Sequence, residues 1–225
     1  MSTDWGRAVG LVQGLTNGLF AKKAFRPAKW FVCFGTLLRM IRDKGNMKEG
    51  DDIDLGLLYE EFDQHIIENH IKAFGLEIER MIINDVTKTP LYYGLKAYGT
   101  NIHICIFLWY KHKNIRYHTY DINREGKNVP SKYIFKGVPA DTLEGDTQQM
   151  PVPNTYRTVN VPRGYGRLLD TWYPDWLTKR KGQSSTKWQL EMKSCKQFEN
   201  ETYDKVPVKC PVTGKIFQDG VEVKE

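Results

Sequence analysis

The chain lacks any continuous apolar run long enough to span a bilayer, so it is not expected to be membrane-spanning. Its first residues, MSTDWGRAVGLVQGLTNGLF, have neither the basic stretch nor the unbroken apolar centre of a secretory leader. Cysteine is sparse. The four are Cys33, Cys105, Cys195 and Cys210, and no two have CxxC spacing, which argues against a zinc knuckle. Cys33 and Cys105 fall in apolar, strand-like runs, so reduced buried thiols and a cytoplasmic setting fit best. Internal repeats and low-complexity tracts are missing too. Charge is only mildly one-sided, with 33 Lys and Arg against 27 acids and a net charge of +6. That balance permits a nucleotide phosphate or an anionic membrane surface as partner, but general nucleic-acid binding is not expected.

What is present is the make-up of a globular protein. The 225 residues are 40% apolar and 27% charged, enough for one domain with a sizeable core and an appendage. Aromatics reach 12%, which suits sugar or base stacking but more often builds core. Helical spacing runs through residues 4–21. Trp30 to Phe34 reads as a short buried strand ending at Gly35, and Thr36 to Lys44 as a helix stopped by Gly45. Apolar residues from Tyr59 to Phe74 recur at helical spacing, with Gly75 as C-cap. Four strands are expected between 76 and 122: LEIERMII, LYYGLKAYG, NIHICIFLWY and IRYHTYDI. Residues 123–166 read as a long loop wrapping the core, Gly166–Leu177 as a short helix, and the last residues as a small hairpin. The expected division is a domain over 1–178 and a basic C-terminal extension over 179–225.

The chemistry concentrates in residues 33–58, CFGTLLRMIRDKGNMKEGDDIDLGLL. Asp52 and Asp54 lie on one face of the expected strand, with Cα atoms about 6.5–7 Å apart, while Ile53, Leu55 and Leu57 take the other face. Converging carboxylates repel unless a cation lies between them, so the pair suits a divalent metal. Asp51 has the opposite parity and ranks below the pair. Gly35-Thr36 opens a helix, where free amides and the positive dipole end suit a phosphate oxygen, and the Thr36 hydroxyl can add a donor. Arg42, two turns into that helix, can reach a phosphate bidentately. Together these features point to transfer chemistry on a nucleotide-type substrate.

GTLLRMIRDKG followed by EGDDIDLGL resembles the LicD/fukutin family of the nucleotidyltransferase-fold superfamily. That family's signature is close to G-T-L-L-G-x-x-R-x-x-G, a short spacer, then D-D-D-[IV]-D. Gly35, Thr36, Leu37, Leu38, Arg42 and Asp52-Ile53-Asp54 match it. Arg39 stands where the family has a second Gly, and Gly50 where the acidic run begins. NIHICIFLWY resembles the family's next signature strand, and MPVPNTY and LLDTWYPDW its closing pattern. The likeness covers roughly residues 28–178.

The resemblance implies an α+β (α/β-like) nucleotidyltransferase fold, a mixed sheet flanked by helices. It implies an enzyme that moves a phospho-alcohol, of phosphocholine or ribitol-phosphate type, from a CDP-activated or other nucleotide donor to a glycan acceptor. Asp52 and Asp54 are then the catalytic, Mg²⁺- or Mn²⁺-holding pair, with Gly35, Thr36 and Arg42 on the donor. The family's third carboxylate aligns with Cys105. His103, two residues earlier on the same face, is a substitute ligand or base, and Asp121 is another replacement. Two alternatives stand beside this reading. One is nucleotidylyl transfer from an NTP. The other is a non-catalytic glycan- or partner-binding module that has lost the third ligand.

Overall fold

Alternating and continuous apolar runs build a single mixed sheet in the computed structural model. The structure describes residues 10–13, 30–44, 52–83, 90–112, 114–118, 128–130, 133–134, 137–153, 156–173 and 175–178. It also describes short strand segments at 193–194, 208–209, 216–218 and 221–223. The sheet is built from β1 (Trp30–Val32), β2 (Ile53–Leu58), β3 (Leu76–Ile83), β4 (Pro90–Ala97), β5 (His103–His112), β6 (Ile115–Tyr117), β7 (Asn128–Pro130) and β9 (Val138–Pro139), which pairs with β6, while β8 (Tyr133–Ile134) lies outside it. Its spatial order is β1-β2-β5-β4-β3-β7. β2 and β5 are parallel, whereas β1–β2, β5–β4 and β4–β3 are antiparallel. The mixed sheet with helices against it is the α+β class expected from the residues.

Helix α1 (Phe34–Arg42) follows β1 after a single residue. The turn is made by Phe34, whose φ of 43° is in the left-handed region that disfavours a side chain. Its ring holds that conformation by packing at 4.8 Å from Phe107, 5.1 Å from Trp172 and 4.8 Å from His118, and by stacking on Trp109 at 5.7 Å. Leu37, Leu38 and Met40 of α1 are buried, whereas Arg39 and Arg42 on the outer side are half-buried. β1 lies close over β2. A Cβ at Gly56 would stand 2.3 Å from the Phe31 ring, so only glycine fits there.

The run from Tyr59 to Phe74 is not one helix. Tyr59–Glu61 forms a single 3-10 turn, and α2 (Gln64–Ala73) starts afresh behind Asp63. The Asp63 carboxylate accepts from the Ile66 amide at 3.1 Å, and this N-cap breaks the helix that the apolar spacing suggested. Gly75 ends α2 at φ 67°, as expected.

Residues 123–166 differ from the expected loop. They contain β9 (Val138–Pro139), one helical turn, α3 (Asp141–Glu144), and an antiparallel pair, β10 (Thr147–Pro151) with β11 (Thr158–Pro162). The prolines at 151 and 162 close the two strands instead of preventing them, because each stands at a strand end. Helix α4 (Tyr165–Trp172) then buries Leu168, Leu169 and Trp172. Ile216–Gln218 and Val221–Val223 pair antiparallel, the small hairpin expected near the end of the chain. Among the described residues, no helix is long and apolar enough to cross a membrane.

A buried arginine ties β6 to the periphery. Arg116 is 4% exposed and donates from Nη1 to both Glu60 oxygens at 2.7 Å. It also donates from Nη2 to Glu144 at 2.8 Å and from Nη1 to the Trp109 carbonyl at 3.2 Å. Lys111 reaches the same Glu144 at 2.8 Å. Burial would raise the Glu144 carboxyl, but hydrogen bonds from Lys111 and Arg116 hold it below the ordinary carboxylate range.

Candidate active site

The first turn of α1 and the first residues of β2 meet at one end of the sheet. Backbone bonding sets the meeting: the Cys33 amide donates to the Asp54 carbonyl at 3.0 Å, which extends the β1–β2 ladder by one step. Thr36 locks the helix start to the strand. Its hydroxyl accepts from the Asp54 amide at 2.8 Å and donates to the Asp52 carbonyl at 3.3 Å. The Thr36 amide points at the Asp54 carboxylate, 3.4 Å from Oδ2, and the Gly35 amide bonds it too. The anion over the α1 start is therefore the Asp54 carboxylate itself. Glycine at 35 permits the approach, since a Cβ there would lie only 3.3 Å from Asp54 Oδ2.

Asp52 is exposed, Asp54 is half-buried and Ile53 is 2% exposed. The strand alternation thus sets the two carboxylates apart from Ile53, which enters the core. The Asp54 carboxyl is pushed up to about 7, by burial first and then by the Asp52 charge; the Thr36 and Gly35 amides and Arg39 pull the other way. A carboxylate desolvated beside a like charge is the arrangement that a cation relieves.

Cys105 is next to Asp54. The parallel β2–β5 register pairs the two residues directly, and Gly94 of β4 faces Cys105 on its other side. The Cys105 thiol is 7% exposed and accepts from the Tyr92 hydroxyl at 3.0 Å. Cys33 is fully buried in the same row; burial first, then the Asp54 charge and the Cys105 thiol, push its thiol well up. Both thiols are free cysteines, as their apolar surroundings suggested.

His103 begins β5 and shares the face of Cys105. Its Nδ1 lies 3.1 Å from Glu79 Oε2, two strands away on β3. Lys96, its direct neighbour on β4, lies 3.7 Å from the other Glu79 oxygen. Arg42 is paired with its own neighbour, donating from Nε and Nη2 to Asp43 at 2.9 and 3.0 Å. Asp51 and Asp121 lie outside the described residues. Among the described residues, no three His, Cys, Asp or Glu side chains are grouped so as to hold a metal ion.

Sequence reasoning passed over three groups here. Arg39 is the helix cation whose charge acts on Asp54, and its place three residues after Thr36, one turn along the same side, was the available signal. Tyr92 and Glu79 carried none, because their partners lie on other strands.

Residues 28–155, more than half of the chain, match the family described as LicD/FKTN/FKRP, nucleotidyltransferase domain. The matched stretch runs from just before β1 through β10 and so contains every site residue described above. A search of curated proteins found no match to the chain.

Proposed function

The chain belongs to the LicD/FKTN/FKRP nucleotidyltransferase-domain family, and on that premise we propose that it is a metal-dependent transferase of phospho-alcohol groups. Membership implies phosphotransfer or glycan-modifying chemistry in general. The finer reading is transfer of a phosphocholine- or ribitol-phosphate-type group from a CDP-activated donor to a glycan hydroxyl. One observation carries it: Asp54 is half-buried against the α1 amides with Asp52 beside it, so that burial and the Asp52 charge hold its carboxyl at about 7.

The residues fit a hard divalent cation. Asp52 and Asp54 offer carboxylate oxygens, and Mg²⁺ is typically held by one or two carboxylates plus substrate phosphates. Bound there, Mg²⁺ or Mn²⁺ would neutralise a diphosphate leaving group. The chain's own part is positioning. The strained Phe34 turn and Thr36 fix α1 against β2, and the Thr36 and Gly35 amides hold the Asp54 carboxylate there. With the α1 amides on Asp54, the donor's negative charge is left to the cation and to the guanidinium groups of α1. Arg39 adds a guanidinium on that side, and Arg42 can join it by exchanging Asp43 for phosphate. Phosphoryl transfer needs mainly this kind of placement and electrostatic support.

A second reading has an observation of its own. Cys105, a thiol bonded by Tyr92, stands beside Asp54 where the family carries its third carboxylate. A chain so altered can be a binding module that keeps the fold without turnover. A thermal-shift series against CDP-choline, CDP-ribitol and NTPs, each with Mg²⁺ or Mn²⁺, separates the readings. Donor at 100 times its Kd stabilises the native state by about 2.7 kcal/mol. A shift with CDP-alcohols, and a product heavier by the phospho-alcohol, is the expected result. A product heavier by a nucleoside monophosphate would move the assignment to nucleotidylyl transfer. Stabilisation by neither metal nor nucleotide would leave the binding module.

A further inference from the structure

We propose that Trp172, on α4, is a positioning residue of the candidate metal site and acts through Phe34, by holding the turn that aims the α1 amides at Asp54. The proposal deepens the metal-dependent transferase reading and rests on it. It also moves the end of the working unit, because α4 lies beyond residues 28–155, the stretch that matches the family.

One residue carries the change of direction between β1 and α1. Cys33 is still extended, at φ −136° and ψ −177°, and its amide donates to the Asp54 carbonyl at 3.0 Å. Gly35 and Thr36 already face the Asp54 carboxylate with their amides, the Thr36 amide at 3.4 Å from Oδ2. Phe34 alone stands between, at φ 43°. That region is disfavoured for any residue with a Cβ, and such a conformation persists only where the surroundings over-determine it. A return to the ordinary helical φ would rotate this bond by roughly 100° and take the two amides off the carboxylate.

What holds the turn is a cage of rings. Phe107 and Trp109 come from β5, His118 from just beyond β6, and Trp172 from α4. Trp172 is the wall supplied from outside the sheet. It meets the Phe34 ring edge-on, at 5.1 Å and 87°, and lies 4.8 Å from the His118 ring. His118 leans in turn on Trp109 at 4.5 Å and on Phe107 at 5.5 Å, so the walls brace one another. All five side chains are buried, and α4 is seated by the buried Leu168 and Leu169. Edge-to-face contacts have a preferred geometry, so the cage fixes the direction of the Phe34 side chain as well as its burial.

The effect reaches the carboxylate pair through the first turn of α1. The Thr36 hydroxyl, bonded to the Asp54 amide and the Asp52 carbonyl, travels with the same turn as the two amides. A Phe34 released from its cage spends part of its time with negative φ, and in that state the Asp54 carboxylate is no longer held at the helix start. Only the remaining fraction of molecules presents Asp52 and Asp54 ready for a cation, and the apparent affinity falls by that fraction.

The test uses the full chain with Mg²⁺ or Mn²⁺ alone, at a temperature where melts show the variants folded. It reads metal affinity by calorimetry and hydrogen exchange at the Gly35 and Thr36 amides. Trp172→Ala is expected to weaken metal binding about tenfold and to speed exchange of those two amides, with exchange in β4 unchanged. Trp172→Phe keeps a ring in the wall and is expected to stay within about threefold of wild type. Phe34→Ala and Phe34→Gly lose the same ring, but glycine takes positive φ readily. Phe34→Ala is therefore expected to bind metal about tenfold more weakly than Phe34→Gly, and this pair decides the matter if Trp172→Ala does not fold. Equal affinity in wild type and Trp172→Ala, or in the two Phe34 variants, would overturn the positioning role and leave the metal-dependent reading standing. Faster exchange throughout the sheet of Trp172→Ala would overturn it in favour of a general structural role. A wild type that binds neither cation would remove the metal-dependent reading and this proposal with it.

Discussion

Two charged side chains in this molecule, the buried Arg116 and the half-buried Asp54, are treated in opposite ways. Arg116 is surrounded by partners: Glu60 on both oxygens, Glu144, and the Trp109 carbonyl. Asp54 has a like charge as its neighbour and, among the described residues, only amides and Arg39 in compensation, and its carboxyl sits at about 7. A buried ion whose partners are all in place belongs to the structure, and removing one of them is what costs stability. A buried ion left short of countercharge is poised for a ligand that brings it. The contrast separates the scaffold of this protein from its chemistry.

The sharpest way to break the comparison is Asp54→Asn. Turnover should fall by three orders of magnitude or more, about 4 kcal/mol of transition-state stabilisation, while the metal-free protein gains stability at alkaline pH. The sign follows from linkage. A carboxyl at about 7 in the folded state, against an ordinary unfolded value near 4, binds its proton more tightly when folded. Stability from this group is complete below about pH 4, declines as pH rises, and is gone above about pH 7. The ceiling is about 4 kcal/mol, three units at about 1.36 kcal/mol each. Thermal melts without metal should therefore favour Asp54→Asn over wild type at pH 8 and show little difference at pH 4. Equal destabilisation at both pH values would make Asp54 a structural residue.

Arg116→Ala is the opposite case. It leaves Glu60 and Glu144, 50% and 30% exposed, without the guanidinium between them, and with those carboxylates open to water the loss is that of hydrogen bonds to charged groups, about 1.5–3 kcal/mol. Urea unfolding should show that loss, while donor affinity of the folded fraction stays at the wild-type value. A change in donor affinity without a loss of stability would place Arg116 in the site and dissolve the contrast.

The smallest expected effect sharpens the contrast from the side of the chemistry. Cys105→Asp adds a carboxylate directly beside Asp54. It should tighten Mg²⁺ binding about tenfold in calorimetry, roughly 1.4 kcal/mol, and lower the melting temperature without metal, because three like charges then crowd one end of the sheet. Unchanged Mg²⁺ affinity would mean that position 105 does not face the cation.

Much of this was legible in the residues. LEIERMII is β3 from first residue to last, Gly75 ends α2, and Asp52-Ile53-Asp54 has the parity that strand alternation requires. These are local facts, set by side-chain period and by glycine's tolerance of positive φ. Two local readings failed where a neighbouring residue competed. Asp63 preferred capping to helix continuation, and the prolines that suggested a loop over 123–166 stand at the ends of β10 and β11.

The order of the strands was not legible, and the site depends on it. By itself the sequence determined β1, β3 and α1, that one turn joins β1 to α1, and that two carboxylates share a strand face. Only the tertiary structure decided that β5 lies beside β2, so that Cys105 meets Asp54. It also decided that the α1 amides are taken by a carboxylate from 18 residues away and that Glu79 crosses β4 to His103. The physical reason is range. Periodicity and capping act within a few residues, whereas strand order is set by which apolar faces pack together and by where the bulge between Ile78 and Arg80 sends Glu79.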